Sequence, residues 1–169
     1  EAVEKVKQSM KADGANADVT WIQLADCDAK ADACPNLKAM EKLQTQAADN
    51  AAVWLLKLGS DAQNMKQDEA RDDLAKAANA KVYDDYTGTS LKALANSIGV
   101  LPPPAETFDA SRKGGAVGMQ TVLVYGLASA QPQANLQIVA KLCENAGEDA
   151  SIKSDCLKLS KVLEWGSSP

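Results

Sequence analysis

The sequence predicts an all-α protein built as an array of antiparallel helix hairpins, an α-solenoid or an irregular helical bundle, stapled by two local disulfides. Composition gives the first reason. Alanine is the commonest residue at about 30 of 169, Phe occurs once, and aromatic residues make up 4% of the chain. Alanine has the best intrinsic helix propensity, whereas strands favour the β-branched and aromatic side chains that are scarce here. Periodicity gives the second. Apolar residues recur at three- and four-residue spacing, as in Leu37, Met40 and Leu43, or Val53 and Leu56 followed by Leu74 and Ala77. The third is the cysteine pattern, two pairs close in sequence rather than one tetrad.

In chain order the pattern predicts helices over 1–12, 17–29, 35–48, 50–64, 67–80, 88–99, 105–111, 115–130, 133–146 and 153–165, separated by Gly-, Asn- or Pro-marked turns. The first is the amphipathic run that begins at Glu1. Pro35 suits the first turn of its helix and pushes Cys34 toward extended backbone, which ends the helix before it. Asp85 or Thr87 is expected to cap the helix starting near 88, and Ser154 the last helix. Ala116 to Ala130 is an apolar stretch of about 15 residues interrupted by Gln120 and Gly126, too short for a membrane span, and reads as a buried helix. Lys113-Gly114-Gly115 provides flexible entry into it. Short loops make sequential helices antiparallel neighbours. Residues 1–169 are expected to form a single domain, in which the stiff spacer Leu101-Pro102-Pro103-Pro104 either sets a subdomain boundary at 100–104 or marks one long loop.

Cysteine spacing bears on the compartment. Cys27 and Cys34 have six residues between them, and Cys143 and Cys156 have twelve, which fits paired zinc knuckles poorly. One continuous helix from 27 to 34 would hold its sulfurs two turns apart, so a Cys27–Cys34 bridge requires the break that Pro35 supplies. The turn Asn145-Ala146-Gly147-Glu148-Asp149 plays the same part between Cys143 and Cys156. Each bridge is expected to add roughly 2.5–3 kcal/mol by constraining the unfolded chain. Such bridges persist outside the reducing cytosol, so the expected location is periplasmic or secreted. No basic-then-apolar leader opens the chain, and the exported reading therefore expects a signal peptide that has been removed.

Charge and residue usage exclude several function classes. Lys plus Arg is 18, Asp plus Glu is 23 and histidine is absent, giving a net charge of -5. A phosphate-tracking surface needs a basic stripe, so nucleic acid is not an expected partner. Without histidine there is no Ser-His-Asp or Cys-His catalysis, no HExxH site and no zinc finger. No metal and no cofactor is expected.

The remaining clusters have mostly structural readings. Asp26, Asp28 and Asp32 lack the glycine and terminal bidentate Glu of a calcium loop and read as an acidic inter-helix turn. Lys113-Gly114-Gly115-Ala116-Val117-Gly118 lacks the GKS/T ending of a phosphate loop. Trp21, Trp54 and Trp165 lie within apolar periodicity and are expected to anchor the core. Tyr83-Asp84-Asp85-Tyr86 is the densest polar and aromatic cluster. Adjacent carboxylates usually diverge, which disfavours paired acid–base work there. These four residues, with exposed groups on the 50–80 hairpin, are the candidate contact surface.

Internal similarity points to repeats. Asn16-Ala17-Asp18-Val19-Thr20-Trp21-Ile22-Gln23-Leu24-Ala25 lies over Asn50-Ala51-Ala52-Val53-Trp54-Leu55-Leu56-Lys57-Leu58-Gly59 at an offset of 34. The segment Trp21-Ile22-Gln23-Leu24-Ala25 resembles the W-x-x-L-[GA] opening of tetratricopeptide (TPR)-like helical repeats. Trp54 with Ala70, Leu74 and Ala77 has that family's spacing of tryptophan and small-large-small positions, although Leu58-Gly59 arrive one residue late. The resemblance covers roughly residues 16–80. In addition, Asp49-Asn50-Ala51-Ala52-Val53-Trp54-Leu55-Leu56, Lys81-Val82-Tyr83-Asp84-Asp85-Tyr86 and Val162-Leu163-Glu164-Trp165-Gly166 look like stretches of uncharacterised alanine-rich exported helical-repeat proteins of gammaproteobacteria. That resemblance implies an extracytoplasmic protein, with a chain that continues past Pro169.

The functional expectation is a non-catalytic protein that binds a protein or peptide partner on a rigid helical scaffold. Three alternatives compete with it. An inhibitor or immunity-type protein would block one exported enzyme through an acidic surface. An enzyme using Asp, Glu, Tyr or Lys would show a deep pocket with a perturbed carboxylate. A structural component of an envelope assembly would self-associate.

Overall fold

A computed structural model describes residues 17–25, 35–100, 115–129 and 131–165. Among them the chain is all-helical, with α1 Ala17–Gln23, α2 Leu37–Gln46, α3 Ala51–Gln63, α4 Gln67–Ala78, α5 Thr87–Gly99, α6 Gly115–Ser129, α7 Leu136–Glu144 and α8 Ala150–Glu164. The helices expected at 1–12 and 105–111, the Cys27–Cys34 pair, the Asp26, Asp28 and Asp32 turn and the Pro102–Pro104 spacer lie outside the described residues. No described helix is long and apolar enough to cross a membrane.

The central element is α3, whose sequence is apolar nearly all round, the mark of a helix enclosed by others. One face, Ala51, Trp54, Leu55 and Leu58, joins Ala70, Leu74, Ala77, Val139, Ile152 and Leu159 in a core shared by α3, α4, α7 and α8. The opposite face, Ala52, Val53 and Leu56, joins Trp21, Leu24, Ala39, Met40 and Leu43 in a second core with α1 and α2. On α4 the buried residues Ala70, Leu74, Ala77 and Ala78 follow i, i+4, i+7, i+8, and Asp68, Glu69, Arg71 and Asp72 face solvent. Helix α4 packs against both α3 and α8, α3 also meets α7, α5 pairs with α6, and α1 meets α2 and α5. The α3/α4 hairpin therefore shares its core with the α7/α8 hairpin, although α5 and α6 separate the two in sequence.

Caps set the helix boundaries. Asn36, Asn50, Asn135 and Asp149 each accept a hydrogen bond from an N–H of the first turn, on α2, α3, α7 and α8 respectively. Asp149 is the cap of α8, accepting from Ser151 and Ile152, so the helix starts at Ala150 and the expected cap, Ser154, lies inside it. An aspartate three residues ahead of a buried isoleucine is the stronger start signal, because Ile152 must face the core. Neither Asp85 nor Thr87 occupies the cap of α5; that position is Tyr86, in the left-handed region at φ 55°.

Two burial expectations are corrected. Trp165 is 83% exposed, because it is the C-cap of α8 and lies beyond the Ile152 and Leu159 stripe that faces the core. Helix α6 is not wholly buried. Val122 and Tyr125 are each 66% exposed, since α6 is apolar on every side and its packing against α5 covers only part of it. Trp21 and Trp54 are buried as expected, the latter donating its indole N–H to the carbonyl of Ala48 at 2.8 Å.

The disulfide Cys143–Cys156 joins the end of α7 to α8, with Cα atoms 5.9 Å apart. Both cysteines pack against the α3/α4/α7/α8 core.

Candidate functional site

Three arrangements could carry chemistry: the loop 83–86, an internal charge network on α3 and α4, and a groove where α3, α4, α7 and α8 meet.

The expected contact loop is held from beneath by Asn50. Its side-chain amide donates to the carbonyl of Asp84 at 2.7 Å and accepts from the Asp84 N–H at 3.0 Å, while the same oxygen caps Ala52. An isolated parallel bridge between Asn50 and Val82 continues this attachment. The carboxylates of the loop serve the backbone, Asp84 accepting from the N–H of Tyr86 at 2.8 Å and Asp85 from that of Thr87 at 3.0 Å. Tyr83 packs against both cores, and Tyr86 against the α1/α2 core, its ring 5.4 Å from that of Trp21. Burial raises the pKa of both tyrosines, aided by the charge of Asp85 at Tyr83. At Tyr86 a hydrogen bond with Asn50 opposes the rise and the charges of Asp84 and Asp18 add to it. Both phenols therefore stay protonated at neutral pH, and neither is activated as a base.

The charge network has Lys57 at its centre. Its ammonium pairs with Asp61 one turn along α3 and with Asp73 on α4 at 2.8 Å. The side chain of Asp73 is only 1% exposed. Lys66 and Lys76 approach Asp61 and Asp73 from outside at 3.8 and 3.6 Å, and Lys76 also lies over the Trp54 ring at 4.7 Å. Burial raises the pKa of Asp73 against the opposing pull of Lys57 and Lys76, and a hydrogen bond with Asp61 adds to the rise. Burial also works to raise Asp61, but its hydrogen bond and charge contact with Lys57 prevail and lower it. At Lys57 burial works downward and the two carboxylates more than offset it, leaving the pKa raised. The signal for this network was present in the sequence: Lys57 interrupts an apolar helix, and Asp73 falls on the buried stripe of α4.

The groove has a volume of about 290 Å³. Its floor is Leu58 and Ala62 of α3, Ala70 of α4, Ile138 and Leu142 of α7, and Ile152 of α8. Its polar lining is Gln67 and Arg71 of α4, Lys141 of α7 and Asn145 at the C-cap of α7, all of them exposed. Cys143, the residue after the lining residue Leu142, ties the end of α7 to α8 through its bridge to Cys156. The sequence directed attention to the 50–80 hairpin, which forms half of the groove. It offered no link from that hairpin to α7, because helices so far apart in sequence are brought together by tertiary packing alone. The groove and the loop 83–86 have no lining residue in common, and neither Asp61 nor Asp73 lines the groove.

Comparison of the chain with protein-family models, with curated proteins and with solved structures finds no match.

Proposed function

We propose that this protein is a non-catalytic, extracytoplasmic helical-repeat protein that binds a protein partner through a short peptide segment of that partner. The observation that carries the reading is the groove, whose lining combines apolar side chains with Gln67, Arg71, Lys141 and Asn145, which suits an apolar anchor and a few hydrogen bonds. The Cys143–Cys156 bridge supports an oxidising compartment. Burial supports the repeat, because Val19 and Val53, and Leu24 and Leu58, which correspond at the offset of 34, are all buried. The 83–86 loop acts in this reading as a brace between the two cores, since its carboxylates serve backbone N–H groups. Binding is favoured over catalysis because the perturbed carboxylate, Asp73, is enclosed against Lys57 and away from the groove.

The test is selection of displayed random peptides on the oxidised protein. The expected peptides compete with one another and lose binding to Ala62→Phe, whose ring fills the groove. Selected peptides that bind Ala62→Phe unchanged would place recognition elsewhere and overturn the reading, as would a selection that yields no binders.

A further inference from the structure

We propose that the groove takes an acidic, apolar peptide segment, with an apolar anchor on the floor and carboxylates on both sides of it meeting Arg71 and Lys141. This inference rests on the peptide-binding reading and adds the chemistry of the occupant.

The first observation is an inversion of charge. The chain has 18 basic and 23 acidic residues, yet the groove is lined by Arg71 and Lys141 with no acid. Within the lining the charged groups are cations, with Asp68, Glu69 and Asp72 on the exposed face of α4 outside it, so a carboxylate seated in the groove meets Arg71 and Lys141 rather than an acid. The second is the state of these cations. The ion pairs among the described residues engage Lys57, Lys66, Lys76, Lys81 and Lys158, and neither Arg71 nor Lys141 takes part in one. An incoming carboxylate therefore displaces no internal partner. The third is placement: Arg71 stands on α4 and Lys141 on α7, so the two charges reach the apolar lining from different helices. Carboxylates before and after the anchor match that arrangement, and the planar guanidinium of Arg71 can hold one in a bidentate pair. The groove is at the lower limit of small-ligand pockets, roughly 300–1,000 Å³, which fits a short anchor rather than a whole domain surface.

The experiment measures binding of two synthetic peptides with the same central Leu-Phe anchor, one flanked by glutamates and one by lysines. The proteins are oxidised wild type, Ala62→Phe and the double variant R71E/K141E, all checked for helicity by circular dichroism. Wild type is expected to prefer the glutamate peptide by about fivefold or more at low salt, a preference that shrinks as salt is added. R71E/K141E is expected to reverse it, and Ala62→Phe to lose both peptides. Equal binding of the two peptides by wild type, with loss in Ala62→Phe, overturns the acidic occupant and leaves the groove reading standing. Binding of neither peptide, or binding indifferent to Ala62→Phe, overturns both. Self-association that Ala62→Phe abolishes would show a second copy in the groove and would also overturn the proposal.

Discussion

The side chain of Asn50 pairs with the backbone of Asp84 through both of its amide groups, donating at 2.7 Å and accepting at 3.0 Å. This one buried residue caps α3 and fixes the segment that leads into α5. Asn50→Ala removes the cap and leaves the Asp84 backbone groups without these partners, at an expected loss of about 2–3 kcal/mol. Asp84→Ala keeps the backbone clamp and loses only the bond to the Tyr86 N–H, so its loss should stay below about 1 kcal/mol. Urea midpoints of the two variants check the difference; equal losses would mean that the carboxylate matters as much as the clamp.

Lys57 neutralises two carboxylates, one of them enclosed in the core. Lys57→Met leaves Asp73 buried with no close cation except Lys76 at 3.6 Å. The expected loss is about 3 kcal/mol at neutral pH, the range for removing one partner of a buried pair. It should shrink as pH falls toward the carboxylate range, because protonation then relieves the uncompensated charge.

Each group of this network has its own pH window. The stabilisation from Lys57, whose pKa is raised, is whole below 10.5 and is lost as pH rises through its folded value. Asp61, whose pKa is lowered, stabilises above 3.8 and loses that contribution as pH falls through its depressed value. Asp73 has the opposite sign: its raised pKa means that the folded state holds the proton longer, so its ionisation erodes stability as pH rises from 3.8 through its folded value. Asp73→Asn abolishes that ionisation. Its stability relative to wild type should therefore improve as pH rises across that window, measured by urea unfolding at a series of pH values.

The Cys143–Cys156 bridge closes a loop with a sequence separation of 13. The paired substitution Cys143→Ser with Cys156→Ser should lower stability by about 3 kcal/mol by the loop-entropy relation. A loss below about 1 kcal/mol in guanidinium unfolding would show that native packing alone holds α7 against α8.

Two backbone positions can be improved. Gly59 lies inside α3, and a Cβ there would meet Asn135 at 3.9 Å, an ordinary contact. Gly59→Ala should raise stability by about 0.5–1 kcal/mol. Met65 ends the α3 segment at φ 60° with its side chain exposed, a left-handed site that glycine adopts without steric cost. Met65→Gly is expected to stabilise by a similar amount, about 0.5–1 kcal/mol. Thermal melts check both, and destabilisation by Gly59→Ala would point to closer packing around α3 than the Asn135 contact indicates.

Much of the helical framework is legible from periodicity and punctuation. The expected helices at 35–48, 50–64, 67–80, 88–99 and 115–130 differ from α2 to α6 by a few residues at their ends. The Cys143–Cys156 pairing follows from a turn between two helices. What local pattern cannot carry is the choice of neighbours. The stripe Ala70, Leu74 and Ala77 shows that α4 has a buried face, but nothing in it specifies α8 as the helix that covers it. Trp165 illustrates the same limit, since apolar character places it in the core and only the end of α8 places it in solvent. The groove is invisible to sequence because its walls come from four helices.

The most direct measurement is a heteronuclear NMR titration of the oxidised protein with the glutamate-flanked peptide, followed residue by residue through the backbone amides. The groove reading predicts shifts confined to the ends of α3, α4, α7 and α8 around Ala62, Arg71, Lys141 and Ile152, with Tyr83 to Tyr86 undisturbed. Shifts centred on Tyr83 to Tyr86, or none under conditions that saturate the peptide, would contradict it.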